Sequence, residues 1–220
     1  MAHTQSEENY LKAIYSLSVD TDTPVSTNAL AERLQTQASS VTDMVKKLAD
    51  KKLVAYQKYQ GVQLTEGGLH SALKVIRKHR LWETFLVEKL HFGWDEVHDM
   101  AEQLEHVQAP ELTERLNSFL DFPAHDPHGD PIPDANGHIE PRKAPTLDHL
   151  KPGETAVVVG VLDSSTDFLK YLNAESIGLG THLEVLEIIS FDRSMRLRLD
   201  GGQGQTVSAA VTKNLFVKRV

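Results

Sequence analysis

The strongest constraint on the fold of this 220-residue chain lies between residues 79 and 106. His79 and Glu83 stand four apart, so a helix carries both on one face, one turn from each other. His98, Glu102, Glu105 and His106 then fall within an arc of about 100° on a second helix. A fold that honours both patterns sets two helices together with imidazoles and carboxylates between them. The chain has no cysteine, so a metal held there meets only nitrogen and oxygen ligands, a donor set suited to Mn(II), Fe(II) or Zn(II). The plainer alternative is a surface ion pair at His79 and Glu83, with a solvated acidic face at Glu102, Glu105 and His106. His3, His70, His91, His125, His128, His138, His149 and His182 share no spacing and read as surface or loop residues.

A net charge of -8 is unusual for a nucleic-acid binder, but its distribution changes the meaning. Residues 1–64 hold seven Lys/Arg and seven Asp/Glu, and residues 151–220 hold eight of each. Residues 65–150 hold eight basic and sixteen acidic residues, so the whole excess sits in the segment with the ligand stripes, where bound cations offset part of it. No apolar run is long enough to cross a membrane. The polar, acidic stretch from Met1 to Glu8 resembles neither a signal nor a transit peptide. With disulfides excluded as well, the expectation is a cytoplasmic protein.

Periodicity divides the chain. In residues 1–64, Ser6 is a suitable N-cap for a helix carrying Tyr10, Leu11, Ile14, Tyr15 and Leu17, and residues 20–24 form a loop. Ser26 opens a helix to Leu34, residues 35–37 turn, and a third helix runs from Ala38 to Lys51 on Val41, Val45 and Leu48. Leu53 to Tyr59 alternates as a strand, Gln60-Gly61 turns, and Val62 to Leu64 returns. This order is that of a winged helix-turn-helix. Residues 65–122 read as three helices: Glu66–Leu90 capped by Thr65, Glu96–Val107 capped by Asp95, and a helix from Pro110 to Leu120. Residues 123–151 form a Pro-rich connector. Residues 152–220 switch to period two, with strands at 155–162, 182–189, 195–199, 205–211 and 215–220 and a helix at 166–172. Five short strands in that length suggest a small SH3-like barrel. The fold class is therefore mainly α with a small β domain.

The ordered series Ser6–Tyr15, Ala38–Leu48, Leu64–Gly68, Arg77–Leu81, Val97–Asp99, Glu105–Val107 and His128–Pro133 resembles the diphtheria-toxin-repressor family of iron- and manganese-dependent transcriptional regulators. The resemblance covers nearly the whole chain. It implies a winged-helix DNA-binding domain, a helical dimerisation and metal-binding domain and, as in the longer members, a C-terminal SH3-like (ferrous-transport-A-like) domain. It also implies two metal sites. The primary site would use Glu102, Glu105 and His106 with the start of the first helix, and the ancillary site His79, Glu83 and His98 with help from the C-terminal domain. Glu102 stands where some iron-type members have cysteine, and a carboxylate there favours Mn(II). The N-terminal ligand position falls on Asn9, with Glu8 or water as the alternative, and a second acid of the short manganese regulators falls on Lys12. The C-terminal ligand positions fall on Ser164 and Asp167, with Asp163 adjacent.

Read as a helix-turn-helix, the third helix presents Ser39, Ser40, Thr42, Asp43, Lys46 and Lys47 to the major groove, and Lys58 lies in the wing. Residues 30–60 hold six Lys/Arg against three acids, a local excess suited to phosphate contact. The expected protein is a homodimeric, non-enzymatic repressor of metal-uptake genes, binding a palindromic operator on Mn(II), with Fe(II) as alternative effector and Zn(II) able to fill the sites in vitro. No membrane partner and no organic substrate is expected. Two rivals are a metal-dependent hydrolase built on the His/Glu site and a winged-helix regulator answering to an organic effector.

Overall fold

Thr4 and Glu7 begin the first helix through a reciprocal pair: the Glu7 backbone N–H donates to Thr4 Oγ1 at 3.3 Å, and the Thr4 N–H donates to Glu7 Oε2 at 3.0 Å. The cap is therefore Thr4 rather than Ser6, because only Thr4 has a glutamate three residues on that reaches back. The computed structural model describes residues 3–19, 23–140 and 142–220. Most of the expected loop at residues 20–24 lies outside the described residues, at 20–22. The chain forms two compact units.

The first unit comprises Met1–Trp82, Glu102–Phe119 and Pro133–Ile139. Helix α1 (Gln5–Ser18) is followed by α2 (Thr27–Arg33), whose cap Ser26 accepts from the Ala29 N–H at 3.1 Å. Gln35 takes a left-handed conformation (φ 49°) in the tight turn before α3 (Ala38–Asp50). Strands β1 (Val54–Gln57) and β2 (Gly61–Leu64) form an antiparallel hairpin, and Val25 pairs with Val62 as a third short rung. Leu11, Ile14, Leu30, Val41, Val45, Leu48 and Val62 are fully buried, so α1, α2, α3 and the hairpin share one core. Helix α4 (Glu66–Leu90) begins at Thr65, whose Oγ1 accepts from the Gly68 N–H at 3.1 Å. A Cβ at Gly68 would lie 1.9 Å from the Leu53 carbonyl oxygen, so only glycine permits this approach of helix to hairpin. Helix α6 (Pro110–Phe119) completes the helical part.

The second unit comprises Glu83–Ala101, Leu120–Ile132 and Glu140–Val220. Its five-stranded antiparallel sheet has the order β6-β5-β4-β3-β7, from β3 (Thr155–Val161), β4 (His182–Ile188), β5 (Met195–Leu199), β6 (Gly204–Val207) and β7 (Leu215–Arg219). Alternate residues Ala156, Val158, Leu183, Val185, Met195, Leu197, Leu215 and Val217 point inward against α7 (Thr166–Ala174) and Leu147. The expected strand at residues 205–211 ends at Val207. Ser208 then caps a short helix, α8 (Ala209–Thr212), by accepting from the Val211 N–H. The small β domain is of the SH3-like kind, and the fold class is as expected: helical, with one small antiparallel sheet. No helix among the described residues is long and apolar enough to cross a membrane.

Helix α5 (His98–Leu104) is shorter than the expected Glu96–Val107. The Glu96 side chain caps a turn by accepting from the Gly93 N–H at 2.8 Å, so the chain enters the helix two residues late. Glu105 and His106 consequently sit in the turn after α5, not on its face.

Candidate metal centre

Two clusters of buried imidazoles and carboxylates stand out, one in each unit. In the first unit, α1 supplies Glu8, Asn9 and Lys12, α4 supplies His79, the end of α5 supplies Glu102, and the following turn supplies Glu105 and His106. Glu105 is fully buried, and Glu8 and His79 nearly so. Burying carboxylates this deeply costs several kcal/mol each unless partners compensate. The partners are specific. Glu105 Oε2 accepts from Lys12 Nζ at 2.7 Å and lies 2.6 Å from His79 Nδ1. Lys12 Nζ also donates to Glu102 Oε1 at 3.1 Å and lies 3.1 Å from His79 Nδ1. Glu105 Oε1, by contrast, is buried without a hydrogen-bond partner among the described residues. It faces His106 Nε2 at 3.6 Å.

His106 is held so that this nitrogen is available. Its Nδ1–H donates to Glu8 Oε2 at 2.6 Å, since a carboxylate accepts there, and in the neutral ring that bond leaves the lone pair on Nε2. Glu8 Oε1 accepts from Gln108 Nε2 at 2.8 Å, and Lys78 Nζ stands 3.9 Å away. This is the carboxylate–histidine arrangement that orients metal-binding imidazoles. Asn9 and Glu102 line one open pocket of about 230 Å³ together with Lys12. Ligating atoms of His79, Glu102 and Glu105 converge within 4.8 Å of one another, and His106 stands beside Glu105, so the imidazoles and carboxylates here are of the kind a divalent ion takes.

The residue beside Glu8 points to the third helix. Glu7 Oε1 accepts from Lys51 at 2.6 Å and Lys47 at 3.1 Å. Burial pushes the Glu7 carboxyl up, but Lys51, the Thr4 backbone and Lys47 outweigh it and bring the group down to about 2. Ser39, Ser40, Asp43, Lys46 and Lys58 are exposed, as a nucleic-acid face requires, and Thr42 is half-buried with its hydroxyl donating to the Ala38 carbonyl. Lys47 is drawn partly toward Glu7. At the wing, Lys58 Nζ stands 4.9 Å over the ring of Tyr59, which is 93% exposed.

In the second unit, Glu83 is buried between two histidines. His98 Nδ1 lies 3.3 Å from its Oε1, and His128 Nδ1 lies 3.6 Å from its Oε2. His128 Nε2–H donates to the Trp94 carbonyl at 2.8 Å, and the two rings stack at 6.1 Å. Burial drives the His128 imidazole down, but Glu83, Asp126 and the Trp94 carbonyl outweigh it and raise the group to about 9. Asp126 Oδ1 accepts from the N–H groups of His128 and Asp130, closing a tight turn at Gly129. Ligating atoms of Glu83, Asp126 and His128 lie within 4.8 Å of one another, so this trio too could hold a cation.

The sequence treatment of His128 as a surface or loop residue is therefore corrected: it is 3% exposed, with Nε2 hydrogen-bonded and Nδ1 at ion-pair distance from Glu83. Its signal was present in the compact Asp126-Pro-His-Gly-Asp130 run, which has no helical or strand period to expose it. His79 Nδ1 lies 2.6 Å from Glu105 Oε2. Asp163 and Asp167 are exposed, Asp163 accepting from the Ser165 N–H at 2.8 Å. Neither belongs to a group of three potential ligands among the described residues.

Comparison with known proteins agrees with this architecture. Residues 3–62 match the N-terminal DNA binding domain of iron dependent repressors, residues 65–134 their metal binding and dimerisation domain, and residues 146–219 the FeoA domain. An uncharacterized HTH-type transcriptional regulator of Methanocaldococcus jannaschii is 38% identical over 118 residues, 54% of this chain and 94% of that protein. The iron-dependent repressor IdeR of Mycobacterium tuberculosis is 36% identical over 126 residues, 57% of this chain and 54% of the repressor. A solved manganese-dependent transcriptional repressor in complex with manganese superposes with a TM-score of 0.88 at 36% identity, over 97% of this chain and all of that one. The manganese regulator SloR superposes with a TM-score of 0.76 at 33% identity, over 97% of this chain and 98% of that one. The chain thus belongs to the diphtheria-toxin-repressor family of iron- and manganese-dependent transcriptional regulators.

Proposed function

We propose that this chain is a homodimeric repressor whose DNA affinity rises when Mn(II) binds at Glu102, Glu105 and His106, with Asn9 completing the set and Fe(II) as the alternative effector. The observation that carries the reading is the buried Glu105 Oε1, without a hydrogen-bond partner among the described residues and 3.6 Å from His106 Nε2. Bound there, the ion supplies a positive centre for oxygen and nitrogen lone pairs. The chain's own residues do the coupling. Glu8 fixes the His106 ring from α1, and the adjacent Glu7 holds Lys47 and Lys51 of α3. A change that orders the turn at Glu105 and His106 is thereby transmitted to α1 and, one residue away, to the helix that carries the base-reading side chains.

We take residues 1–64 as the winged helix-turn-helix, 65–122 as the dimerisation and metal-binding segment, 123–151 as connector and 152–220 as the SH3-like domain. Ser39, Ser40, Thr42, Asp43 and Lys46 face the operator, with Lys47 and Lys58 at phosphates. Exposed Leu112 and Phe119 on α6 suit a dimer contact. His79, Glu83 and His98 are retained as an ancillary set, with His128 the buried partner of Glu83. Two-fold symmetry then matches a near-palindromic operator, and the targets are genes of metal uptake. Coupling of this kind is typically worth about 1–3 kcal/mol, a roughly 5- to 150-fold change in affinity, and DNA tightens metal binding by the same factor. The test is a gel shift of operator DNA with Mn(II) or with chelator. Tighter binding with Mn(II), lost in Glu102→Ala/Glu105→Ala, is expected; equal affinity in both conditions would refute the switch.

A further inference from the structure

Lys12 occupies a place that a metal ion could fill. Ligating atoms of His79, Glu102 and Glu105 converge within 4.8 Å of one another, and the Lys12 ammonium lies among them, 2.7 Å from Glu105 Oε2, 3.1 Å from Glu102 Oε1 and 3.1 Å from His79 Nδ1. The side chain is only 15% exposed and Glu105 is fully buried, so the ammonium is a fixture of the interior. Lys12 stands on α1 one turn after Glu8, so the helix that orients His106 also sets the reach of this cation.

Glu105 therefore has two unlike sides. Its Oε2 is compensated by a covalently attached positive charge, while its Oε1 is unpartnered toward His106. A carboxylate placed in this way can bridge two cations, as carboxylates do in two-metal sites with ions about 3.5–4 Å apart. We propose that Lys12 is a tethered cation that fills the second compartment of this centre, so that the chain takes one divalent ion at Glu105 where the donor set would otherwise hold two. An ammonium and a divalent ion cannot share the His79–Glu102–Glu105 pocket, since both need the same oxygens and repel at contact distance. Lys12 also neutralises part of the buried acidic charge without metal, so the apo protein keeps this cluster assembled. The inference rests on metal binding at Glu102, Glu105 and His106.

Lys12→Met, close in length and uncharged, tests it in the full chain. Calorimetric titration with Mn(II) is expected to show one more equivalent bound per chain than the wild type, and electron paramagnetic resonance of the loaded variant a spin-coupled Mn(II) pair absent from the wild type. Lys12→Arg, which keeps the charge, is expected to keep the wild-type count. An unchanged count in folded Lys12→Met overturns the proposal. If circular dichroism shows that Lys12→Met does not fold, Lys12→Gln, whose amide can still donate to Glu105, takes its place, and an unchanged count there overturns the proposal equally. A wild type that binds no Mn(II) at all would instead overturn the metal reading on which the proposal stands.

Discussion

The contact between Glu8 and His106 separates an orienting role from a ligand role, and Glu8→Ala tests which one the carboxylate performs. In the structure Glu8 Oε2 accepts from His106 Nδ1 at 2.6 Å and Oε1 accepts from Gln108 at 2.8 Å, so both oxygens are already engaged away from Glu105 Oε1. Removing the carboxylate leaves the His106 ring free to rotate and its tautomer unspecified. Loss of such an orienting partner typically weakens metal binding about 10- to 100-fold, or roughly 1.4–2.7 kcal/mol. The variant also leaves the His106 and Gln108 donors unpaired, at about 1–3 kcal/mol each if both stay dry, so apo stability must be measured beside affinity. The assay is Mn(II) titration against a competing chelator, with urea unfolding of the apo protein as control. Glu8→Gln keeps an acceptor oxygen for Nδ1 and is expected to lose less than Glu8→Ala. A loss beyond about 1,000-fold in both variants would make Glu8 a direct ligand, and unchanged affinity in both would show that the histidine needs no support; either result refutes the reasoning.

Three further outcomes follow from the same geometry. Saturating Mn(II) at about 100 times its dissociation constant is expected to stabilise the protein by about 2.7 kcal/mol, raising the midpoint of thermal unfolding by roughly 5–10 °C, and chelator should reverse this. Glu7 is down at about 2 in the folded protein against an ordinary 4.5, so its contribution is fully present above pH 4.5 and is lost as pH falls through 2. In chelator, Glu7→Gln should therefore be about 2–3 kcal/mol less stable than wild type at pH 6, a gap that narrows steadily below pH 4 in urea titrations. Gly129→Ala places a Cβ 2.2 Å from the Val159 carbonyl at φ 80° and is expected to cost about 2–4 kcal/mol, read as a lower unfolding midpoint.

Much of the architecture is legible in the sequence itself. The bounds of α4 follow from Thr65 and the sustained helical period, and the core positions of α3 from Val41, Val45 and Leu48. The switch to period two after residue 152 marks the sheet. The imidazoles and carboxylates of the clusters were legible as well, but their grouping was not. Helical spacing treats Glu105 and His106 as members of one stripe, whereas the helix stops at Leu104 and a turn aims the two side chains. Lys12 carries the sign opposite to a ligand and so gives no signal until its ammonium is seen among His79, Glu102 and Glu105. Asp126 and His128 lie in an aperiodic turn, where only three-dimensional packing reveals burial. Asp163 Oδ1 accepts from the Ser165 N–H at the entry into α7, a local bond that residue spacing does not reveal.

The adjacency of Glu7 and Glu8 sets a rule for how such a chain can change. Neighbouring positions on a helix differ by about 100° in direction and 1.5 Å in height, so the two carboxylates reach Lys51 and His106 on different sides from almost the same level. One residue inserted or deleted between Thr4 and Lys12 would rotate one set of contacts by about 100° relative to the other. Changes of length at the start of α1 should therefore be excluded from functional variants. The opening helix works as a phase reference between the His106 turn and the lysines of α3.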